Sequence, residues 1–129
     1  MSLEHTRAER ADRLNPARIH DFDLKLVTRD LWKEPELQEP GRHMGTTLVK
    51  TPALRVVLQA MRRGARLSPH RAPGPITVQV LEGELRFEAG DDVVYLRAGE
   101  LLALPTRETH AVEAVRDSVF LLTISVEPE

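Results

Sequence analysis

The side chains of this sequence best suited to chemistry are two imidazoles, His70 and His110, two guanidinium groups close to them in the chain, Arg71 and Arg107, and one acidic pair, Asp91-Asp92. A neutral imidazole carries one N–H donor and one bare nitrogen, so His70 and His110 can bond each other, a water or the backbone, or hold a ligand. A guanidinium grips a carboxylate through two parallel hydrogen bonds, which makes Arg71 and Arg107 candidates at a pocket rim. A solvated turn residue is the plainer alternative for both arginines. Asp91-Asp92 follows Gly90 and reads as a turn rather than a cation site. The chain has no cysteine. Disulfides, thiolate metal sites and thiol nucleophiles are therefore excluded, and any metal must take nitrogen and oxygen donors. The sequence contains no G-x-S-x-G elbow, P-loop, H-E-x-x-H pair or dinucleotide glycine fingerprint, which sets those enzyme classes aside.

With 129 residues, 41% of them hydrophobic and 29% charged, the chain has room for one domain with a real core and not for two. A net charge of -2 and an aromatic content of 4% give neither an electrostatic pull toward a polyanion nor stacking platforms, which argues against nucleic acid as a partner. The opening residues MSLEHTRAERADR are densely charged, and no stretch reaches the length of a membrane span. The expectation is a cytoplasmic protein without a membrane partner.

Two segments differ in pattern. In residues 1–42, Asn15-Pro16 reads as a helix start, and Leu24, Val27 and Leu31 recur at helical spacing before Pro35 and Pro40 end any helix. This extension is too short for a core of its own and is expected to cover one end or face of the remaining domain. In residues 43–129 the pattern becomes eight β-rich runs, HMGTTLVK, ALRVVLQAM, ITVQVLE, ELRFE, VVYLR, LLAL, THAVEAV and SVFLLTISV, separated by Gly- and Pro-containing turns. The fold class is thus all-β, an antiparallel barrel with a short N-terminal helical segment. ALRVVLQAM and SVFLLTISV are apolar at both parities, so both faces of those strands need cover, and a homodimer would supply it.

The turn residues also carry a recurring spacing. Gly64 is followed after five residues by His70, then Arg71, Ala72, Ile76 and Gly83; Gly99 is followed after five residues by Pro105, then Arg107, His110 and Ala114. Residues 64–114 resemble the two paired motifs of the cupin superfamily, G-x5-H-x-H-x3,4-E-x6-G and G-x5-P-x-G-x2-H-x3-N, in the right order and with a typical separation. The resemblance implies a jelly-roll barrel. It has physical sense, since Gly64, Gly83 and Gly99 fall at turns where positive φ is easiest for glycine.

In that family the two histidines and the glutamate of the first motif, with the histidine of the second, hold a divalent metal inside the barrel. Carried over by position, the resemblance implies His70 and His110 as metal ligands, while Ala72 and Ile76 stand where two other ligands belong. Zinc, iron, manganese or nickel, weakly held, is the cofactor this implies, because a catalytic metal ordinarily takes about three protein ligands. His43, Gln59 and Gln79 are the polar residues available as a third, although simple alternation from Ile76 turns Gln79 outward. Two half-buried imidazoles with no ion between them are the competing reading. The ligand-binding set expected is His70, His110, Gln59, Ile76 and Arg107. With Ile76, Val78 and Val80 as an apolar floor, a small and largely hydrophobic ligand is expected in the pocket. Three functions stay open: a small-molecule-binding protein, a metal-dependent oxygenase, isomerase or hydrolase using both histidines and an unusual third ligand, and an interaction module.

Overall fold

The structure, a computed structural model, describes residues 17–127, so the Asn15-Pro16 helix start lies outside the described residues. Helix α1 spans Leu24–Trp32. Asp23 begins it, its carboxylate accepting from the Lys25 and Leu26 N–H groups at 3.0 and 3.3 Å, which satisfies donors that the first turn leaves free. A 3-10 turn at Pro35–Leu37 follows, and then nine strands among the described residues.

These are β1 (His43–Lys50), β2 (Leu54–Met61), β3 (Arg66–His70), β4 (Ile76–Glu82), β5 (Glu84–Ala89), β6 (Asp92–Arg97), β7 (Leu101–Leu104), β8 (His110–Ala114) and β9 (Ser118–Ser125). The count of eight is corrected by β3, whose sequence RLSPH lacks apolar alternation and contains Pro69. That proline is tolerated because β3 is the edge strand of its sheet.

The strands form two antiparallel sheets, ordered β1-β2-β9-β4-β7 and β3-β8-β5-β6, packed face to face as a jelly-roll barrel. Alternation places Ile76, Val78 and Val80 of β4, Leu85 and Phe87 of β5, Val112 and Ala114 of β8, and Phe120 of β9 in one interior core. Gln79 lies between two inward positions and is exposed, as alternation requires. The motif glycines Gly64, Gly83 and Gly99 all take positive φ, at 86°, 86° and 90°.

A second core lies on the outside of the five-stranded sheet. Leu58 and Ala60 of β2 and Val119 of β9 point away from the barrel interior and pack with Val27, Leu31 and Leu37 of the N-terminal elements. The double-sided apolar character of β2 and β9 is therefore covered, over this part of the sheet, from within the chain. Arg62 ties the two layers together: its Nε donates to the Leu37 carbonyl at 2.6 Å, its Nη1 meets Asp117 Oδ2 at 2.9 Å, and its guanidinium lies 4.3 Å over the Trp32 ring. Among the described residues no helix is long and apolar enough to cross a membrane.

Candidate functional site

His70 ends β3 and His110 begins β8, and the two residues are direct Cα partners across that antiparallel pair. Strict alternation from Leu67, which pairs with Val112, would turn His70 to the opposite face. The register shifts between Leu67 and His70 instead, so that the extra residue re-aims the imidazole. Pro69, which has no N–H to give the ladder, sits in that irregular step. The two rings end 4.4 Å apart between centroids, inclined at 61°. His110 is buried, at 5% exposure, while His70 is open to solvent.

Hydrogen bonding settles which nitrogen each ring leaves available. His70 Nδ1 lies 2.7 Å from the Ser68 carbonyl oxygen, and His110 Nδ1 lies 3.2 Å from that of Glu108. A carbonyl oxygen only accepts, so both Nδ1 atoms carry the proton and both Nε2 atoms of the neutral rings keep a bare lone pair. Burial holds the His110 imidazolium below the ordinary histidine pKa; the Glu108 carbonyl opposes this and the nearby His70 reinforces it. His110 therefore stays neutral, and able to accept or ligate, to lower pH than a solvated histidine.

The interior core on which His110 rests, through the Phe87 ring, is apolar. Ala72 and Ile76 both pack into the interior core, alongside Leu104, Leu122 and Ile124. His43 and Gln59 are brought together with each other, the Gln59 amide Nε2 standing 3.3 Å from His43 Nδ1 on the β1–β2 pair. Gly45, the Cα partner of Gln59, makes room for that amide: a Cβ there would stand 2.5 Å from Gln59 Oε1. Among the described residues no three His, Cys, Asp or Glu side chains gather in a way that could hold a metal ion. Arg107 lies in the loop before β8, where its Nε meets Glu127 Oε1 at 3.0 Å, an ion pair within the chain. Arg71 is exposed.

A groove of about 480 Å³ lies on the outer face and end of the four-stranded sheet, lined among others by Arg66, Arg86, Glu88 and Glu113. These charges alternate with the inward Leu85, Phe87 and Val112, and they pair among themselves as Arg86–Glu88 at 3.0 Å and Arg66–Glu113 at 3.8 Å. His110 touches its rim, but the charged wall faces away from the barrel interior.

The family model described as "Cupin domain" matches residues 57–126. Among solved structures, a cupin superfamily protein from Desulfitobacterium hafniense aligns with a TM-score of 0.71 at 17% identity, covering 92% of this chain and 100% of that one. A Cupin 2 conserved barrel domain protein from Leptotrichia buccalis is 32% identical over 69% of this chain and 43% of its own, with a TM-score of 0.63. KdgF from a Halomonas species is similar at 25% identity, covering 70% of this chain and 85% of that one, with a TM-score of 0.61. No curated protein matches the chain.

Proposed function

Because the chain belongs to the cupin domain family, we propose that it is a small-molecule-binding cupin whose ligand sits over the apolar floor beside His70 and His110. The observation that carries this reading is the pair itself, with both Nδ1 protons spent on carbonyls and both Nε2 lone pairs unspent. Ala72 and Ile76 add hydrocarbon where a polar ligand set would otherwise stand. The donor set fits half of a metal centre. Two imidazoles can hold a divalent ion weakly, with water or atoms of the bound molecule completing its coordination, and no reaction step is assigned to such an ion.

Elemental analysis of protein purified without chelator or nickel resin, followed by zinc and manganese titration, tests the reading. Weak, chelator-labile binding that disappears in His70→Ala is expected. Metal binding equal in wild type and His70→Ala would overturn it. A stoichiometric metal that survives chelator would favour a metal-dependent oxygenase, isomerase or hydrolase. The retention of both histidines at family spacing supports that second reading, which requires a third ligand of another type, such as the Gln59 amide.

The same proposal includes a cytoplasmic, homodimeric protein. Support for the dimer is the part of the five-stranded sheet's outer face, around β4 and β7, that carries an exposed leucine, Leu101, at 65% exposure, opposite Gln79.

A further inference from the structure

Arg55 is set apart from the other arginines of the barrel by where it faces. On β2 it alternates with Val57, Gln59 and Met61, and Met61 lies in the interior core; across the ladder its Cα partner is Ile124, which packs against the same core. Arg55 therefore points to the inside of the barrel. Its Nε is shut off from solvent and has no hydrogen-bond partner among the described residues. Outward-facing arginines differ: Arg66, Arg86, Arg97 and Arg116 each have a carboxylate within 4 Å, at 3.8, 3.0, 3.8 and 3.5 Å. A guanidinium partly stripped of water and lacking a counter-charge is held at a cost, which an anion at its terminal nitrogens offsets.

The register shows what surrounds it. Cα pairing runs in one row across the five strands, from Lys50 to Arg55, Ile124, Ile76 and Leu104. Residues 71–75 connect His70 directly to Ile76, and residues 105–109 connect Leu104 to His110, so this row and the imidazole pair occupy the same end of the barrel. Two cations thus stand at one edge of an apolar row, with the imidazoles at the same mouth. Arg55 on β2 and Ile76 on β4 are two interstrand spacings apart, about 10 Å.

We propose that the site takes a small amphiphilic organic acid: its carboxylate is bound end-on by the terminal nitrogens of Arg55, with Lys50 adding charge, and its apolar body lies over the half-buried Ile124. This deepens the binding reading above and rests on it for the location of the ligand, whereas the anion-recognition step rests on Arg55, with Lys50 beside it.

Calorimetry with hexanoate and 1-hexanol as probes, on wild type, Arg55→Gln, Arg55→Met, Arg55→Lys and His70→Ala, tests it. Saturable hexanoate binding is expected, at least tenfold tighter than hexanol and weakened at least tenfold in Arg55→Gln and Arg55→Met, with Arg55→Lys between. Without probe, Arg55→Met should melt no lower than wild type, because it removes an uncompensated charge. Absence of hexanoate binding, equal binding of hexanol, equal binding by Arg55→Gln, or a marked loss of stability in Arg55→Met would each overturn the proposal. Hexanoate affinity unchanged in His70→Ala but lost in Arg55→Gln would retain the anion site and remove the imidazole pair from it, so the two failures are distinguishable.

Discussion

His110 lies nearly parallel to the Phe87 ring, with centroids 5.3 Å apart and planes inclined by 14°, while His70 meets it at 61°. The buried imidazole is thus pressed against hydrocarbon, and the neighbouring His70 opposes its protonation electrostatically. Both features favour its neutral form.

A pH titration of the histidine ring resonances is expected to place His110 below the ordinary value of 6.5. His70→Gln should move it upward, since a neighbouring positive charge is removed; an unchanged midpoint would show that His70 does not bear on it. The linked effect on stability has a definite sign. Unfolded His110 takes its proton near 6.5 and folded His110 only at lower pH, so the unfolded state binds more protons between the two values and stability falls as pH drops through that window. Thermal midpoints should decline on acidification below 6.5, and less steeply in His110→Phe.

Gly83 joins β4 to β5 at φ 86°, and a Cβ there would run into the Asp117 carbonyl oxygen and the Ser118 Oγ. Ser118 is itself fixed, its single Oγ proton shared between the Arg116 and Glu84 carbonyls at 2.8 and 3.0 Å while Oγ accepts from the Glu84 N–H at 3.0 Å. Gly83→Ala is expected to cost at least about 2 kcal/mol, from the left-handed backbone and the clash together. Chemical denaturation measures this, and a loss under about 0.5 kcal/mol, the scale of an ordinary surface substitution, would contradict it.

Removing the Arg62 side chain leaves the Leu37 carbonyl without its donor and the Trp32 face without its cation. The exposed half of the arrangement, the bridge to Asp117, contributes little by itself. Arg62→Ala should therefore destabilise by about 1–2 kcal/mol, lowering the thermal midpoint by several degrees. Arg62→Lys should recover only part of this, since an ammonium lacks the planar fork.

Leu101→Lys places a charge on the uncovered outer face of β7. If that face joins two copies, sedimentation at micromolar concentration should show a dimer for the wild type and a monomer for the variant, with the fold intact by circular dichroism. A wild-type monomer would leave Leu101 as an ordinary exposed leucine.

Much of this architecture is local in origin and so legible in the sequence. Turns at Gly64, Gly83 and Gly99 follow from the backbone freedom that glycine alone has, and the inward set Ile76, Val78, Val80 with Gln79 outside follows from a period of two. Leu24, Val27 and Leu31 sit at the spacing of a helix face, and that face is buried. Other features depend on contacts between residues far apart in the chain. β3 is invisible locally because RLSPH has neither alternation nor β-forming composition; it is a strand only because β8 pairs with it, and the register shift at Pro69 that aims His70 at His110 exists only in that pairing. Pro69 before His70 is the one signal that points to an irregular step there. The cover over the outer face of β2 and β9 is, by composition, equally consistent with a second subunit; the packing of Val27, Leu31 and Leu37 places it partly within the chain. The partners of the arginines, Glu127 for Arg107 and none among the described residues for Arg55 Nε, are likewise products of long-range register. A residue type states what a side chain can bind, whereas only the folded barrel decides what stands within reach of it.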